Sequence, residues 1–218
     1  MVQKRGISQE VLKLIACVTM LIDHVGAVFF PWEMGWRIVG RLAFPIYCFL
    51  MAEGMARTRN VRKYGIRLAI GAVLAEVPFD LLFFGELTLA HQSVMVTLLI
   101  GYGMVLWMGR FPKFQMFAMF ACAMLAELLA TDYGTLGIFM IGLFVLTREM
   151  PVYRSAIQAV LLAVITWAFN GYWVQMFAVA AMIPIALYSG KKSGYSKVVQ
   201  WIFYLFYPVH LAILLLLS

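Results

Sequence analysis

Nine apolar runs, separated by short polar breaks, take up almost the whole chain and constrain its fold more than any other feature. They cover residues 11–30, 38–56, 68–84, 94–108, 114–130, 134–146, 155–169, 172–188 and 198–217. A helix that crosses a bilayer needs about 20 mostly apolar residues, with a range of roughly 17–25. The sixth and seventh runs are short, so whether those two span fully stays open. Of the 218 residues 64% are hydrophobic and only 12% charged, with a mean hydropathy of +0.91, against roughly 25% charged in a soluble domain. Hydrocarbon offers no partner to a backbone N–H or C=O, so only helices and closed barrels cross it. The runs lack the alternation of an outer-membrane barrel. The expectation is a single all-α domain over residues 1–218, a polytopic integral membrane bundle of about nine transmembrane helices.

Charge gives an independent check on that count. A net charge of +7 and a pI near 9.5 would suggest nucleic acid for a soluble chain. Here the basic residues read as cytoplasmic loops, and no nucleic-acid partner is expected. With nine spans and a cytoplasmic N-terminus, Arg37 and Arg41 are the exceptions among seventeen Lys and Arg, leaving fifteen on the inner side. The C-terminus is then outside. Seven of the ten acidic residues and all three histidines fall in the outer half. Lys4 and Arg5 precede a first run that holds Asp23 and His24, which reads as a retained span rather than a cleavable signal. Cys17, Cys48 and Cys122 lie within apolar runs and read as packing residues.

The first run, LKLIACVTMLIDHVG, carries the chemistry of greatest interest. Ionisable groups inside a membrane are expensive and mark function by default. Lys13 and His24 are eleven residues apart, ~1100° at ~100° per residue, within ~20° of three whole turns. They share one helix face with Cys17 and Met20, about 16 Å apart along the axis at ~1.5 Å per residue. His24 suits proton transfer near neutral pH; the competing reading is a histidine packed by hydrogen bonds across helices. Asp23 lies ~100° round the helix from His24 and need not touch it. Lys13 suits phosphate as a point charge, or snorkels to the interface.

Arg57, Arg59, Arg62, Lys63 and Arg67 follow in the next inner stretch, where they serve either an anionic ligand or lipid head groups. Arg41, about a turn into its run, needs a partner; Glu76 and Asp80, one turn apart around Pro78, are the expected ones. Glu53 and Arg57 are expected to pair along their helix. Pro45, Pro78, Pro184 and Pro208 predict kinks that open room in the bundle. His210, with Tyr204 and Tyr207, is expected near the same cavity, whereas His91 is expected at an exposed loop edge. No metal-ligand spacing, nucleophile elbow, phosphate loop or dinucleotide fingerprint is present.

A basic residue followed after ten residues by His, Lys13 to His24, resembles the signature of transmembrane acyltransferases of the acyltransferase 3 kind. More closely, LKLIACVTMLIDHVG, GRLAFPIYCFLMAEG, RLAIGAVLAEVPFDLL and the closing FYPVHLAILLLL resemble the TraX family of membrane acetyltransferases. The resemblance covers the first three spans and the last. It implies a multi-pass protein of the bacterial cytoplasmic (inner) membrane that uses cytosolic acetyl-CoA, without a metal. Lys13, Arg57, Arg59, Arg62, Lys63 and Arg67 would meet the CoA phosphates. His24 would be the base or the acyl carrier, with Asp23 beside it and Arg41, Glu76, Asp80 and His210 in support. The acceptor would be a hydroxyl or amine at the outer face, on a protein N-terminus, a glycan or a small molecule. The alternative is a proton-coupled small-molecule transporter using the same buried groups. A third possibility is an assembly subunit without activity.

Overall fold

The computed structural model describes residues 6–150, 154–170, 173–191 and 197–218. Lys4, Arg5 and Lys192 of the basic inner set lie outside the described residues. Among the described residues the chain is all-helical. The elements are α1 (Gln9–Phe29), α2 (Met34–Gly40), α3 (Ala43–Arg57), α4 (Val61–Phe83), α5 (Val94–Arg110), α6 (Gln115–Leu128), α7 (Gly134–Leu146), α8 (Arg154–Asn170), α9 (Met182–Ala186) and α10 (Lys197–Leu217). Two isolated backbone bridges, Ile7 to Tyr188 and Gln92 to Thr131, tie loops together. α2 runs on into α3, and a tight 3₁₀ stretch, Trp173–Ala181, runs on into α9. The described elements therefore form nine helical rods, one on each apolar run. Two of them, Gln9–Phe29 and Met34–Arg57, are long and apolar enough to cross a membrane; the other apolar ones are shorter.

Local chemistry sets most element ends. Ser8 Oγ accepts the Val11 N–H at 3.4 Å and starts α1, and Asn60 Oδ1 accepts the Lys63 N–H at 2.9 Å and starts α4. α4 thus begins seven residues before its apolar run and takes Arg62, Lys63 and Arg67 into its first turns. The break between α2 and α3 falls at Arg41 and Leu42, and Pro45 explains it. A proline has no N–H for the carbonyl four residues back, and its ring collides with that carbonyl, here the carbonyl of Arg41. The Pro112 break is a short 3₁₀ turn, Pro112–Phe114.

α3 lies at the centre, with Phe44, Ile46, Cys48, Phe49 and Ala52 all buried, packed against α1, α5, α7 and the 3₁₀ stretch. α4 packs most extensively on α10. The outward faces are apolar: Val73 is 72% exposed and Trp167 74% exposed. Soluble monomers rarely expose continuous apolar surface on this scale.

The two ends of the bundle differ. At one, Ile7 exchanges backbone hydrogen bonds with Leu187 and Ser189, each 2.9 Å. There the expected Glu53–Arg57 pair forms at 2.6 Å, with Arg148 on the second Glu53 oxygen at 3.1 Å and Arg57 on the Gly190 carbonyl at 2.6 Å. At the other end lie Asp23, Arg37, Arg41, Gln92 and Asp132. Glu53, Arg57 and Arg148, which charge counting put on one side, thus cluster together, as do Asp23, Arg37 and Arg41 from the other.

α1 and α2 meet through glycines. A Cβ on Gly40 would overlap the Asp23 side chain, and one on Gly26 would enter the Trp36 side chain. Gly40→Ala is therefore expected to destabilise the protein by about 1–3 kcal/mol through overpacking. Gly35→Ala, on the same helix with open space around it, is expected to be neutral or stabilising. Thermal melts of both purified variants in detergent check this pair.

Candidate functional site

A cavity of about 560 Å³ runs between α1, α3, α4, α5 and α10. Glu10, Lys13, Thr58 and Arg67 line one end; Asp23, His24, Arg41, His91, Asp132 and Tyr133 line the other. Lys13, Met20 and His24 all face it, as their shared helix face predicts, while Cys17 turns to the Tyr47 hydroxyl at 3.2 Å. Lys13 Nζ lies 5.3 Å from the Phe203 ring centre, and the Arg67 guanidinium carbon lies 5.3 Å from that of Tyr204. Such contacts help to hold a cation in place. Arg67 Nε is buried without a hydrogen bond among the described residues.

The remaining cations of the expected anion-binding set stand elsewhere. Arg57 is taken up by Glu53, Tyr188 and Gly190. Arg59, Arg62 and Lys63 are exposed, off the cavity lining. Of the six cations, Lys13 and Arg67 reach the cavity wall.

His24 meets His210 across the interface of α1 and α10. Nδ1 of His24 and Nε2 of His210 are 2.6 Å apart, with the rings parallel within 4°. His210 Nδ1 lies 2.7 Å from the Phe206 carbonyl oxygen. A carbonyl only accepts, so this nitrogen carries the proton. In the neutral pair, His210 Nε2 is then the acceptor and His24 Nδ1 the donor. That leaves the lone pair on His24 Nε2, the arrangement a general base needs. His210 acts from behind, while Tyr204 and Tyr207 of the same helix line the cavity.

The expected pairing of Arg41 with Glu76 or Asp80 does not occur. Arg41 pairs with Asp23 at 3.1 Å, and Arg37 binds the other carboxylate oxygen at 3.0 Å. The helix break at Arg41 and Leu42 turns both guanidiniums toward α1, which is why the nearer carboxylate wins. Asp23 is accordingly a structural anchor rather than a group on the imidazole. Glu76 instead accepts from the Ser93 hydroxyl at 2.5 Å and the Ser93 N–H at 3.1 Å, and Asp80 accepts the Thr88 N–H at 3.0 Å. Both fix the loop that leads into α5.

Four further groups at this end had weak signals or none in the sequence. Arg41 also donates to Gln175 Oε1 at 3.1 Å and to the Tyr133 hydroxyl at 3.4 Å. Tyr133 has φ of +66° and stacks on Phe44 at 3.9 Å. Ala130 and Gly134 also have positive φ, so this turn is strained. The strain directs Asp132 and Tyr133 into the cavity, where Thr97 donates to the Asp132 carbonyl. Burial pushes the Asp132 carboxyl up from its ordinary value, against the pull of His91 and Arg41. His91 stacks against Phe79 and lines the cavity, which corrects its expected place at an exposed edge. Polar residues scattered over five elements meet here, and sequence spacing cannot reveal such a meeting.

The fold and this site define a class: a membrane-associated bundle whose internal cavity joins cations at one end to a histidine pair at the other. The family model described as "TraX protein" matches residues 8–218, and the chain belongs to that family. A probable fimbrial assembly protein, FimC of serogroup H1, from Dichelobacter nodosus is 29% identical, covering 93% of this chain and 92% of its own. Protein TraX from Escherichia coli is 26% identical, covering 94% of this chain and 85% of its own. An uncharacterised Rickettsia prowazekii protein is 29% identical over 43% of this chain and 34% of its own. No solved structure matches the chain.

Removing Asp23 leaves two guanidiniums without their carboxylate. Asp23→Ala is expected to cost about 3–5 kcal/mol. Arg37→Ala should cost much less, because Arg37 is 35% exposed and Arg41 stays on the carboxylate. Chemical-denaturation or melting series of the two variants measure the difference; equal losses would contradict this ranking.

Proposed function

We propose that this protein is a multi-pass enzyme of the bacterial cytoplasmic membrane, with nine spans, N-terminus inside and C-terminus outside. It transfers an acetyl group from cytosolic acetyl-CoA to a hydroxyl or amine near the outer face. The observation that carries this reading is the single cavity lined by Lys13 and Arg67 at one end and His24 at the other. An acyl-CoA has that form: anionic phosphates, a long thin arm and a reactive thioester at its tip. Two cations on the cavity wall suit the phosphates, and the ~16 Å between Lys13 and His24 along α1 is comparable to the pantetheine arm. The separate clustering of Glu53, Arg57 and Arg148 and of Asp23, Arg37 and Arg41 supports the topology. The apolar outward faces support a bilayer around it.

In this reading His24 Nε2 takes the acceptor's proton as the acceptor attacks the thioester, then returns it to the departing thiolate. A covalent route, with the acetyl resting on His24, remains part of the test. The lipid bilayer and an extracytoplasmic acceptor are the partners. The fimbrial assembly relative lends weight to a protein subunit of a surface fibre as one acceptor, beside a glycan or small molecule.

The alternative is a proton-coupled transporter, favoured by ionisable groups at both cavity ends, Glu10 among them. The two are separated by following CoA release and protein mass in detergent with acetyl-CoA. His24→Ala is expected to lower CoA release about 10²–10⁴-fold. Lys13→Ala is expected to weaken acetyl-CoA binding about tenfold, the equivalent of ~1.4 kcal/mol, with little change in melting temperature. A gain of one acetyl that needs His24 selects the covalent route. A folded protein that neither binds nor turns over acetyl-CoA, yet conducts protons in liposomes, selects the transporter.

A further inference from the structure

Tyr207, one turn before His210 on α10, has a hydroxyl that finds no acceptor among the described residues. The residue is 4% exposed, lines the cavity, and its oxygen makes no hydrogen bond among the described residues. A buried hydroxyl left unsatisfied is costly, so its persistence calls for an explanation. The Val94 N–H, in the first turn of α5, faces the hydroxyl oxygen. An N–H only donates, so even this neighbour leaves the phenolic proton uncommitted. The position of that proton is informative. The Tyr207 ring packs edge-on against His24 at 5.9 Å and against His210 at 5.5 Å between ring centres. Two other phenols of the lining are engaged: Tyr47 with Cys17 at 3.2 Å, and Tyr133 with Arg41 and, by stacking, with Phe44.

We propose that the Tyr207 hydroxyl is a catalytic donor that binds the oxyanion formed on the acyl carbonyl at the His24 end of the cavity. The inference rests on the acyl-transfer reading above and names a second group for that reaction. The acceptor oxygen or nitrogen forms a bond to the thioester carbonyl carbon while its proton passes to His24 Nε2. The carbonyl π pair moves to oxygen, where the Tyr207 O–H donates to it. Collapse of the tetrahedral intermediate restores the carbonyl and breaks the carbon–sulfur bond. The thiolate leaves and takes the proton from the His24 imidazolium. Nothing is oxidised or reduced, and the phenol keeps its proton throughout. A donor fixed by packing and shielded from water needs little reorganisation when charge develops, which is why such groups are effective.

An uncommitted hydroxyl gives the test its discriminating power. Tyr207→Phe removes a hydroxyl that donates to nothing among the described residues and receives only the Val94 N–H, so stability should change little. A merely structural tyrosine would lose stability and keep its rate. The experiment uses the full-length protein in detergent with acetyl-CoA and water as the acceptor. Melting temperature, kcat and KM are read for wild type, His24→Ala and Tyr207→Phe. The expected result is a little-changed melting temperature, an unchanged KM and a kcat lowered about 10²–10³-fold. Should the Phe variant lose its fold, Tyr207→3-fluorotyrosine keeps the shape and changes the phenol's acidity. A rate that tracks acidity supports the donor, and an unchanged rate overturns it. Wild-type kcat in a folded Tyr207→Phe protein, beside a His24-dependent wild type, overturns the Tyr207 assignment and leaves acyl transfer standing. CoA release absent from wild type, or independent of His24, overturns the acyl-transfer reading and this inference with it.

Discussion

The Asp23 carboxylate between Arg37 and Arg41 is the contact on which the rest of this structure depends. Holding two partly buried guanidiniums in an apolar bundle is costly unless a carboxylate meets them with good geometry. Asp23 does so from the adjoining helix, at 3.0 and 3.1 Å. The contact requires close approach of α1 and α2, which Gly26 and Gly40 permit. It also requires the interruption at Arg41, which Pro45 imposes four residues later. Once α1 is fixed in rotation by Asp23, the neighbouring His24 is turned away from the arginines and toward α10.

That rotation gives the histidine its character. A lone imidazole in an apolar wall has no preferred tautomer. Here the Phe206 carbonyl fixes the proton of His210, His210 fixes that of His24, and the lone pair is left on Nε2. A backbone carbonyl thus takes the orienting role that a carboxylate often plays behind a catalytic histidine. Asp23, though next to His24 in sequence, serves the helices instead. The strained turn at residues 130–134 completes this end by directing Asp132 and Tyr133 inward.

The opposite end follows another logic. Glu53 gathers Arg57 and Arg148 into a strut that holds α3 to α7 and to the segment before α10. Lys13 and Arg67 stay out of that strut and rest on aromatic rings along α10. A cavity with cations at one end and a histidine lone pair at the other follows from this division. In the acyl-transfer reading it separates recognition of the donor from the chemistry at its tip.

The sequence by itself determined the helical rods, because apolar runs of this length leave the backbone no other way to satisfy its hydrogen bonds. It determined the break at Arg41 through Pro45, the Glu53–Arg57 pair through its one-turn spacing, and the shared face of Lys13 and His24 through helical periodicity. These are all local quantities, fixed within one element. Only the tertiary structure decided who meets whom across elements. Arg41 went to Asp23 rather than Glu76 or Asp80, because the angle between α2 and α1 sets that distance. Four of the six expected phosphate-binding cations lie off the cavity lining, because charge composition carries no direction. His210, Gln175 and Tyr133 came to the site from distant parts of the chain, because packing, which no spacing encodes, brings their helices and turns together.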